Sequence, residues 1–512
     1  MRFKKFLSFA LALTLSFGAL QTFERNVPNC FAEEDEDDST INYLNCIQFN
    51  KETGIMKLYG NVDKDAVQSF NNQYADSHPD SKIYKRHGVK TIVTAPGAVL
   101  PEDSSYLFSY FTEATTIDLS YSDTSNVTNM EDMFCHDKEV RTIKMPNIDT
   151  SKVTKMNAMF IWCRELKTLD LTNLDTSNVT TMEAMFAGCT SLEDFDLKNI
   201  DTSKVRNMSK MFQDCEKAVF IDLDNFDTSN VTNMSYMFSN CKELQFAPIT
   251  QTDGITGEII GGFNTSKVTN MSYMFENCEK FEPINLPGFD TTKVQNMEGM
   301  FKGCKSIKEI DLSNFKVNNV VNMSYMLSDC TGLEQVNMKD FIPSHKLTTT
   351  SYMFSNCSSL ETIYVDNNWP ESVVKSVIFT ENMFLDCKSL KGGNGTKYNE
   401  AYTGCQYANI DTKHNPGYLT AYDPSLTPLD GSGHLGDVNN DGRIDATDAS
   451  DVLSKYAEYA VSRKTPSAYD LYKYDVNGDG KIDAVDATYI LSYYAYKQTG
   501  GTDSFVDYMK NH

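Results

Sequence analysis

The sequence predicts an α/β solenoid of 26-residue strand–helix units, followed by a small all-α domain of two loop–helix units. Two observations predict this fold class: a Met-Phe pair that recurs at a fixed spacing, and a twelve-residue acidic stretch that occurs twice near the C-terminus. The leading residue of the pair, or its substitute, lies at Leu107, Met133, Met159, Met185, Met211, Met237, Met274, Met300, Met326, Met353 and Met383. The spacing is 26 residues through Met237 and resumes after an 11-residue insertion. A fixed period of this length indicates stacked repeats.

One complete unit contains two apolar patterns. The first has helical spacing and consists of Val179, Met182, Met185, Phe186 and Cys189. The second follows the L-x-x-L-x-L pattern of a short strand and consists of Leu192, Phe195 and Leu197. We therefore expect a strand, a turn and a helix in each unit. Because a single unit cannot bury its own apolar face, neighbouring units must stack to form the core.

This unit resembles the leucine-rich repeats of BspA-like bacterial surface proteins, and the resemblance spans residues 89–390. It implies a solenoid that presents a recognition surface, with a protein, host-surface or plant-wall ligand that the repeats do not identify. Residues 33–88 are predicted to form an N-terminal cap of a hairpin and a helix. Residues 391–429 are predicted to close the C-terminal end, and residues 430–436 to form a linker.

Two tandem stretches near the C-terminus have the ligand spacing of calcium loops. The first places candidate ligands at Asp437, Asn439, Asp441, Arg443 and Asp448, and the second at Asp475, Asn477, Asp479, Lys481 and Asp486. Arg443 and Lys481 contribute a backbone carbonyl, whereas the others contribute side-chain oxygens. Gly442 and Gly480 lie where the chain must turn sharply around the ion. The sequence therefore predicts two bound calcium ions.

Only an exiting helix follows each loop, and Asp replaces Glu at the last loop position. Residues 437–497 therefore resemble a type I dockerin, a module that docks onto cohesin domains of a scaffold protein, and residues 498–512 are predicted to be a tail. The resemblance implies cohesin contacts at Ala446, Thr447, Ala484, Val485, Tyr489 and Tyr493. Asp451 and Lys455 occupy the places of the two tyrosines in the first unit. We therefore expect the more apolar second unit to dominate binding.

Composition and the N-terminal residues indicate a secreted protein. Residues 1–32 are predicted to be a signal peptide, because basic residues precede an apolar run that is too short to span a membrane comfortably. The sequence contains no second apolar run, so we expect no membrane insertion. A formal net charge of −24 argues against nucleic acid as a partner, since phosphate binding requires clustered cations. We expect an extracellular protein that is attached to a scaffold or cell surface through its dockerin.

Most of the thirteen cysteines occupy one register of the repeat. They are Cys163, Cys189, Cys215, Cys241, Cys278, Cys304, Cys330, Cys357 and Cys387. Equivalent side chains point in parallel, and disulfides require converging Cβ vectors. We therefore expect a buried column of reduced thiols rather than a stack of disulfides or a metal site.

A row of acidic residues lies at a single strand position of the repeats. It consists of Asp118, Asp170, Asp196, Asp222 and Asp311, and it continues at Asn285 and Asn337. Alternation along a strand points these side chains outward. The row is either an acidic recognition stripe or a solvated row that hydrogen-bonds to neighbouring backbone and hydroxyl groups.

The sequence contains no catalytic constellation: no G-x-S-x-G elbow, no H-E-x-x-H and no phosphate loop. We therefore expect a noncatalytic binding protein that docks through calcium-dependent dockerin–cohesin contacts. Two alternatives stay open: a cellulosomal glycoside hydrolase acting in polysaccharide breakdown, or an inhibitor or spacer. A hydrolase needs paired carboxylates across a cleft, which a repeated solenoid surface does not predict.

Overall fold

A computed structural model describes residues 40–43, 46–76, 88–193, 195–223, 225–245, 250–252, 259–262, 264–281, 289–375, 377–378, 381–422, 436–438, 443–462, 466, 470, 474–503, 505 and 508–509. The predicted signal peptide and all of the predicted linker except Gly436 lie outside these residues. In the described part of the chain, no helix is long and apolar enough to cross a membrane.

The strands are short and follow one another along the chain. They are β1 (Thr40–Tyr43), β2 (Ile47–Asn50), β3 (Ile55–Leu58), β4 (Thr91–Thr94), β5 (Ala98–Val99), β6 (Thr116–Asp118), β7 (Ser122–Asp123), β8 (Thr142–Lys144), β9 (Thr250–Thr252), β10 (Ile259–Gly262), β11 (Glu309–Asp311), β12 (Gln335–Met338), β13 (Thr362–Val365) and β14 (Leu419–Ala421). The α-helices are α1 (Lys64–Asp76), α2 (Glu371–Lys375), α3 (Ala446–Ser462) and α4 (Ala484–Gln498).

The N-terminal cap begins the solenoid sheet. Strands β1, β2 and β3 pair antiparallel, and β3, β4, β6 and β8 then pair parallel with residues of successive units in register. The predicted hairpin and helix are both present, as β2–β3 and α1. At the other end, β11, β12, β13 and β14 form a four-stranded parallel sheet.

The helix predicted for each repeat is wrong. Residues 183–188 form consecutive turns, in which Ala184 and Gly188 have positive φ angles of 55° and 75°. The amide of Phe186 donates to the carbonyl of Met211 in the next unit at 2.9 Å, instead of to a residue four positions earlier. In this part of the repeat, alternate backbone amides therefore donate to the neighbouring unit.

The physical reason for this error is that a series of turns and a helix share nearly the same apolar period. Within one unit, Met185 donates to Met182 and Cys189 donates to Phe186, both across three residues. Such turns return the chain to the core every three or four residues, as a helix does. Apolar spacing alone does not separate the two conformations.

A column of stacked phenylalanines fills the core of the repeats. Neighbouring ring centroids are 5.4–5.8 Å apart in the run Phe108, Phe134, Phe160, Phe186, Phe212, Phe238, Phe275 and Phe301. All of these rings are fully buried. The Met-Phe pair of the sequence therefore belongs to the core that holds successive units together.

The predicted thiol column is present. The nine in-register cysteines are free thiols, and all of them are buried. Each in-register Sγ donates to a backbone carbonyl of the preceding unit, as Cys189 does to Phe160 at 3.2 Å. Burial raises the pKa of Cys189 to about 12. The thiols thus act as weak donors to carbonyl groups within the apolar core.

We expect the in-register thiols to resist iodoacetamide in the folded protein, because alkylation requires an accessible thiolate. Mass spectrometry should detect unmodified cysteines after native treatment and full modification after treatment in denaturant. Rapid native labelling of Cys189 or Cys215 would contradict the burial. Disulfide-linked peptides joining adjacent units would contradict the parallel geometry.

The C-terminal residues form a second apolar cluster. It consists of Val438, Ala449, Val452, Val476, Ile482, Ala487, Ile490, Tyr493, Phe505, Tyr508 and Met509. The last three correct the prediction that residues 498–512 are a tail outside this domain. The Phe505 and Tyr508 rings meet Tyr493 edge-on, with centroids 4.9 and 5.5 Å away. Sequence patterning missed this packing because these residues follow the helix without a periodic run.

Candidate functional site

The second predicted calcium loop folds so that its side-chain oxygens accept hydrogen bonds from its own backbone. The Asp475 carboxylate accepts from the amides of Asp479 at 3.1 Å and Gly480 at 2.7 Å. The Asn477 side-chain oxygen accepts from the Asp479 amide at 2.9 Å. Gly480 has a φ of 81°, which suits a glycine at the sharp turn of the loop.

Asp486 closes this loop and begins the following helix. Its Oδ1 accepts from the amides of Val476 at 2.8 Å and Asn477 at 3.2 Å, and its Oδ2 accepts from Asp483 at 2.8 Å. Asp483 in turn caps α4 by accepting from the Val485 amide at 2.7 Å. One fully buried carboxylate therefore fixes both the loop and the start of the helix.

The same arrangement begins α3. Asp448 is fully buried, and its Oδ2 accepts from the Asp445 amide at 2.9 Å. Asp445 accepts from the Thr447 amide at 2.8 Å, which reproduces the cap of α4. Asp437 is buried and Arg443 is exposed, whereas Asn439 and Asp441 lie outside the described residues. The described halves of both loop–helix units thus share one geometry.

The charges of the second loop are crowded. Burial raises the pKa of Asp486 to about 6. The nearby Asp475 carboxylate also raises this pKa, whereas three backbone hydrogen bonds lower it. Burial also raises the pKa of Asp475, and Asp479 adds to that shift. Buried, mutually repelling carboxylates gain stability from a neighbouring cation.

The donor set of this loop fits a calcium ion. Asp475, Asn477, Asp479 and Asp486 would supply side-chain oxygens, Lys481 would supply its carbonyl, and calcium prefers oxygen ligands of this kind. A bound ion would neutralise the buried carboxylates and order the loop. Among the described residues, the present side-chain positions bring no three acidic, histidine or cysteine groups close enough to hold a metal.

The predicted partner residues divide into exposed and buried groups. Ala446, Thr447, Ala484 and Val485 are exposed at the helix starts, and 47% of the Val485 surface is accessible. Tyr489 is half-buried against the domain core. The structure corrects the prediction that Tyr493 is a partner contact. Its side chain is only 7% exposed, and its hydroxyl donates to the Asp503 carbonyl at 3.1 Å. Phe505 and Tyr508 pack against the ring that the dockerin resemblance had placed on the partner face.

Each of the two dockerin helices carries a pair of exposed apolar side chains. They are Leu453 and Tyr456 on α3 and Leu491 and Tyr494 on α4, each 37–43% exposed. Equivalent members are 38 residues apart, so the two helices present matching apolar pairs. Their helical spacing was visible, but the distinction between core and surface required the tertiary packing.

Lys455 is directed into the domain. Its Nζ lies 3.0 Å from Asp470 Oδ1 and 3.2 Å from Glu458 Oε2, and 5.5 Å from the centre of the Tyr459 ring. Tyr459 also donates to the other oxygen of Asp470. These contacts tie α3 to the segment that precedes the second loop, so Lys455 is not a free cation on the partner face.

The acidic strand row is hydrogen-bonded. Asp170 Oδ1 accepts from the Thr172 amide at 3.0 Å and its hydroxyl at 2.7 Å, and these bonds lower the pKa of Asp170. Asp118 accepts from the Ser120 amide and lies 3.2 Å from Lys144. Asn337 is buried, and Asn285 lies outside the described residues. These contacts support the alternative in which the row serves local hydrogen bonding.

Comparison with protein-family models gives two matches. The family described as "Mycoplasma protein of unknown function, DUF285" matches residues 102–218, 163–253, 249–369 and 282–398, which together span more than half of the chain. The type I dockerin domain matches residues 435–493. Comparison with curated protein sequences gives no match.

Solved leucine-rich-repeat proteins also match the chain. One from Bacteroides ovatus is 16% identical, with 70% of this chain and 82% of that chain covered and a TM-score of 0.36. One from Eubacterium ventriosum is 12% identical, with coverage of 77% and 98% and a TM-score of 0.31. On the family matches, the chain belongs to the DUF285 family of BspA-like repeat proteins and carries a type I dockerin domain at its C-terminus.

Proposed function

We propose that this protein is a secreted, noncatalytic binding component that docks through its dockerin onto a cohesin module in a calcium-dependent manner. The observation that carries the proposal is the match to the dockerin family over residues 435–493, combined with two capped loop–helix starts of one geometry. A dockerin implies a cohesin partner and a scaffold-based, extracellular assembly. The repeats then present a recognition surface on that scaffold.

Calcium dependence follows from the buried carboxylates. In each unit, the last loop position is a fully buried aspartate at a helix start, Asp448 or Asp486. Without a cation, the acidic ligands repel one another and the loops lose their order. The exposed residues at the helix starts would then lose the positions needed for docking. We assign one ion to each loop.

The second unit is proposed to dominate docking. Val485 presents an apolar side chain where the first unit presents Thr447, whose hydroxyl donates to Asp445 at 2.7 Å. Tyr489 supplies a half-buried aromatic where the first unit has the exposed Asp451. Aromatic anchors are favoured over exposed acids at the centres of interfaces.

Isothermal titration calorimetry of the intact protein with a panel of type I cohesins tests this function. We expect binding by at least one cohesin, its loss on adding EGTA, and its recovery with excess calcium. Val485→Ala with Tyr489→Ala should weaken binding by at least tenfold, whereas the matched pair Thr447→Ala with Asp451→Ala should change it less than threefold. Binding that resists the chelator would contradict calcium-dependent docking, and equal losses from both pairs would contradict the asymmetry.

The alternative of a glycoside hydrolase receives no support from the repeats. In the described part of the strand row, the carboxylates repeat along one face and accept local hydrogen bonds, as Asp170 and Asp311 do. Retaining and inverting hydrolases need two carboxyl groups facing each other across a substrate. Reducing-sugar release from plant-wall polysaccharides by the purified protein would favour the enzyme instead.

A further inference from the structure

Each repeat contains two turn positions at which the backbone is left-handed. In one unit these are Ala158 and Trp162, with φ angles of 50° and 63°. Left-handed backbone costs about 1–2 kcal/mol for most L-residues, and it favours Gly, Asn or Asp. The second of these positions is filled accordingly in the later repeats, by Gly188, Asp214, Asn240, Asn277, Gly303, Asp329, Asn356 and Asp386. The first units carry Tyr110, His136 and Trp162 instead, with φ angles of 63–65°.

These three rings form a stack along the outer edge of the turns. The centroids of Tyr110 and His136 are 4.7 Å apart, and those of His136 and Trp162 are 6.2 Å apart. Tyr110 is 40% exposed, and the other two rings are half-buried. None of them belongs to the apolar core cluster of the repeats. Core packing therefore does not explain why aromatic residues occupy strained positions here.

Two cations accompany the stack. Lys138 and Arg164 are exposed, and the Arg164 guanidinium lies 5.0 Å from the centre of the Trp162 ring. The same register further along the solenoid holds paired charges, such as Lys242 with Glu216 at 3.0 Å and Lys305 with Glu279 at 2.9 Å. Since Lys138 and Arg164 have the same sign in adjacent units, they do not pair with each other.

The charge of this edge contrasts with that of the chain. Glu139 and Glu165 follow the two cations in sequence, yet within the described residues neither Lys138 nor Arg164 forms an ion pair. The whole chain has a net charge of −24. Two cations that form no ion pair therefore lie beside an aromatic stack, where they can attract anionic groups in a chain that is otherwise acidic.

The orientation of the rings selects the class of ligand. Trp162 lies between His136 and the backbone of Gly188, where an added Cβ would be only 2.5 Å from the Trp162 Cε3 atom. Both faces of this ring are therefore covered, and sugar stacking would need an open face. The exposed ring edges carry the positive part of the aromatic quadrupole, which attracts carboxylates. Arg and Trp are also among the residues that contribute most at protein–protein interfaces.

We propose that Tyr110, His136 and Trp162, together with Lys138 and Arg164, form a binding surface for an acidic protein segment rich in Asp or Glu. The inference rests on the proposed role of the repeats in recognition and names the site and partner class for that role. It is independent of the dockerin. Failure of this surface would leave cohesin binding unchanged, so the two proposals are tested separately.

The fluorescence of Trp162 can report binding at this surface. Of its two tryptophans, Trp369 is 8% exposed and donates to the Ala408 carbonyl at 2.9 Å, so acrylamide should quench mainly Trp162. We would titrate the full chain with poly-L-glutamate as the acidic polypeptide and with polygalacturonate as a polysaccharide that carries the same carboxylate group. Poly-L-glutamate should lower the acrylamide quenching constant by at least twofold, and polygalacturonate should have a smaller effect.

Variants then separate binding from folding. Lys138→Ala with Arg164→Ala should weaken poly-L-glutamate binding by at least tenfold, whereas Lys242→Ala with Lys305→Ala, at paired positions of the same register, should leave it unchanged. Trp162→Asn, measured by calorimetry, should also weaken binding while keeping or raising the melting temperature, because Asn suits left-handed backbone. The proposal is overturned if neither polymer binds, if only polygalacturonate binds, if the Lys138/Arg164 variant binds normally, or if Trp162→Asn melts well below the wild type.

Discussion

Phe186→Ala should lower the free energy of unfolding of the repeat domain by about 3–5 kcal/mol, because it removes a fully buried ring from the middle of the phenylalanine column. The Phe186 ring contacts Phe160 and Phe212 at centroid distances of 5.7 Å on either side and meets Phe195 edge-on at 5.6 Å. The cavity would therefore interrupt packing between three units. Urea unfolding monitored by tryptophan fluorescence measures the loss, since both tryptophans lie in the repeat region.

The matched control is Phe186→Leu, because Leu327 occupies the equivalent core position in a later unit and is also fully buried. Leu retains four of the seven side-chain carbons of Phe and leaves a smaller cavity, so Phe186→Leu should cost less than Phe186→Ala. If the alanine and leucine variants unfold at the same urea concentration as the wild type, the stacked column does not hold the units together.

Asp486→Ala should disorder the second loop–helix unit. The substitution leaves the amides of Val476, Asn477 and Asp483 without the carboxylate that accepts their hydrogen bonds. Each buried donor left unsatisfied costs about 1–3 kcal/mol, and the loop also loses a proposed calcium ligand. We expect the loss to exceed the stability of so small a domain, so that α4 exchanges its amide hydrogens at least tenfold faster even in excess calcium.

Hydrogen-exchange mass spectrometry of the intact protein resolves this effect by segment. The control is Asp451→Ala, which removes an exposed acidic side chain from α3 and should leave exchange unchanged. The repeats should retain wild-type protection in both variants, because their apolar core is a separate cluster. Wild-type protection of residues 484–498 in Asp486→Ala would contradict the role assigned to this carboxylate.

The sequence by itself determined the period of the repeat, the thiol column and the two loop–helix starts. It could do so because each depends on local spacing: in the nine units of the column a cysteine lies three residues after the phenylalanine position, as Cys189 does after Phe186, and Asp486 lies three residues after the capping Asp483. Family comparison confirmed the repeat family and the dockerin. The calcium ions and the cohesin contacts remain predictions.

Only the tertiary structure decided the conformation of the turns and the burial and stacking of particular aromatic residues. Met182, Met185 and Phe186 return to the core at nearly the same period in a turn series as in a helix. The hydrogen bonds that distinguish the two conformations run to the next unit, as from the Phe186 amide to the Met211 carbonyl 25 residues later. The dockerin resemblance implies a partner-facing Tyr493, but Phe505 and Tyr508 pack against its ring and the Asp503 carbonyl accepts a hydrogen bond from its hydroxyl. Trp162 has the spacing of an ordinary turn residue, and its strained backbone and stacked ring follow from its neighbours His136 and Gly188. Local patterns fix what repeats along the chain, whereas contacts between distant segments determine which side chains stay exposed.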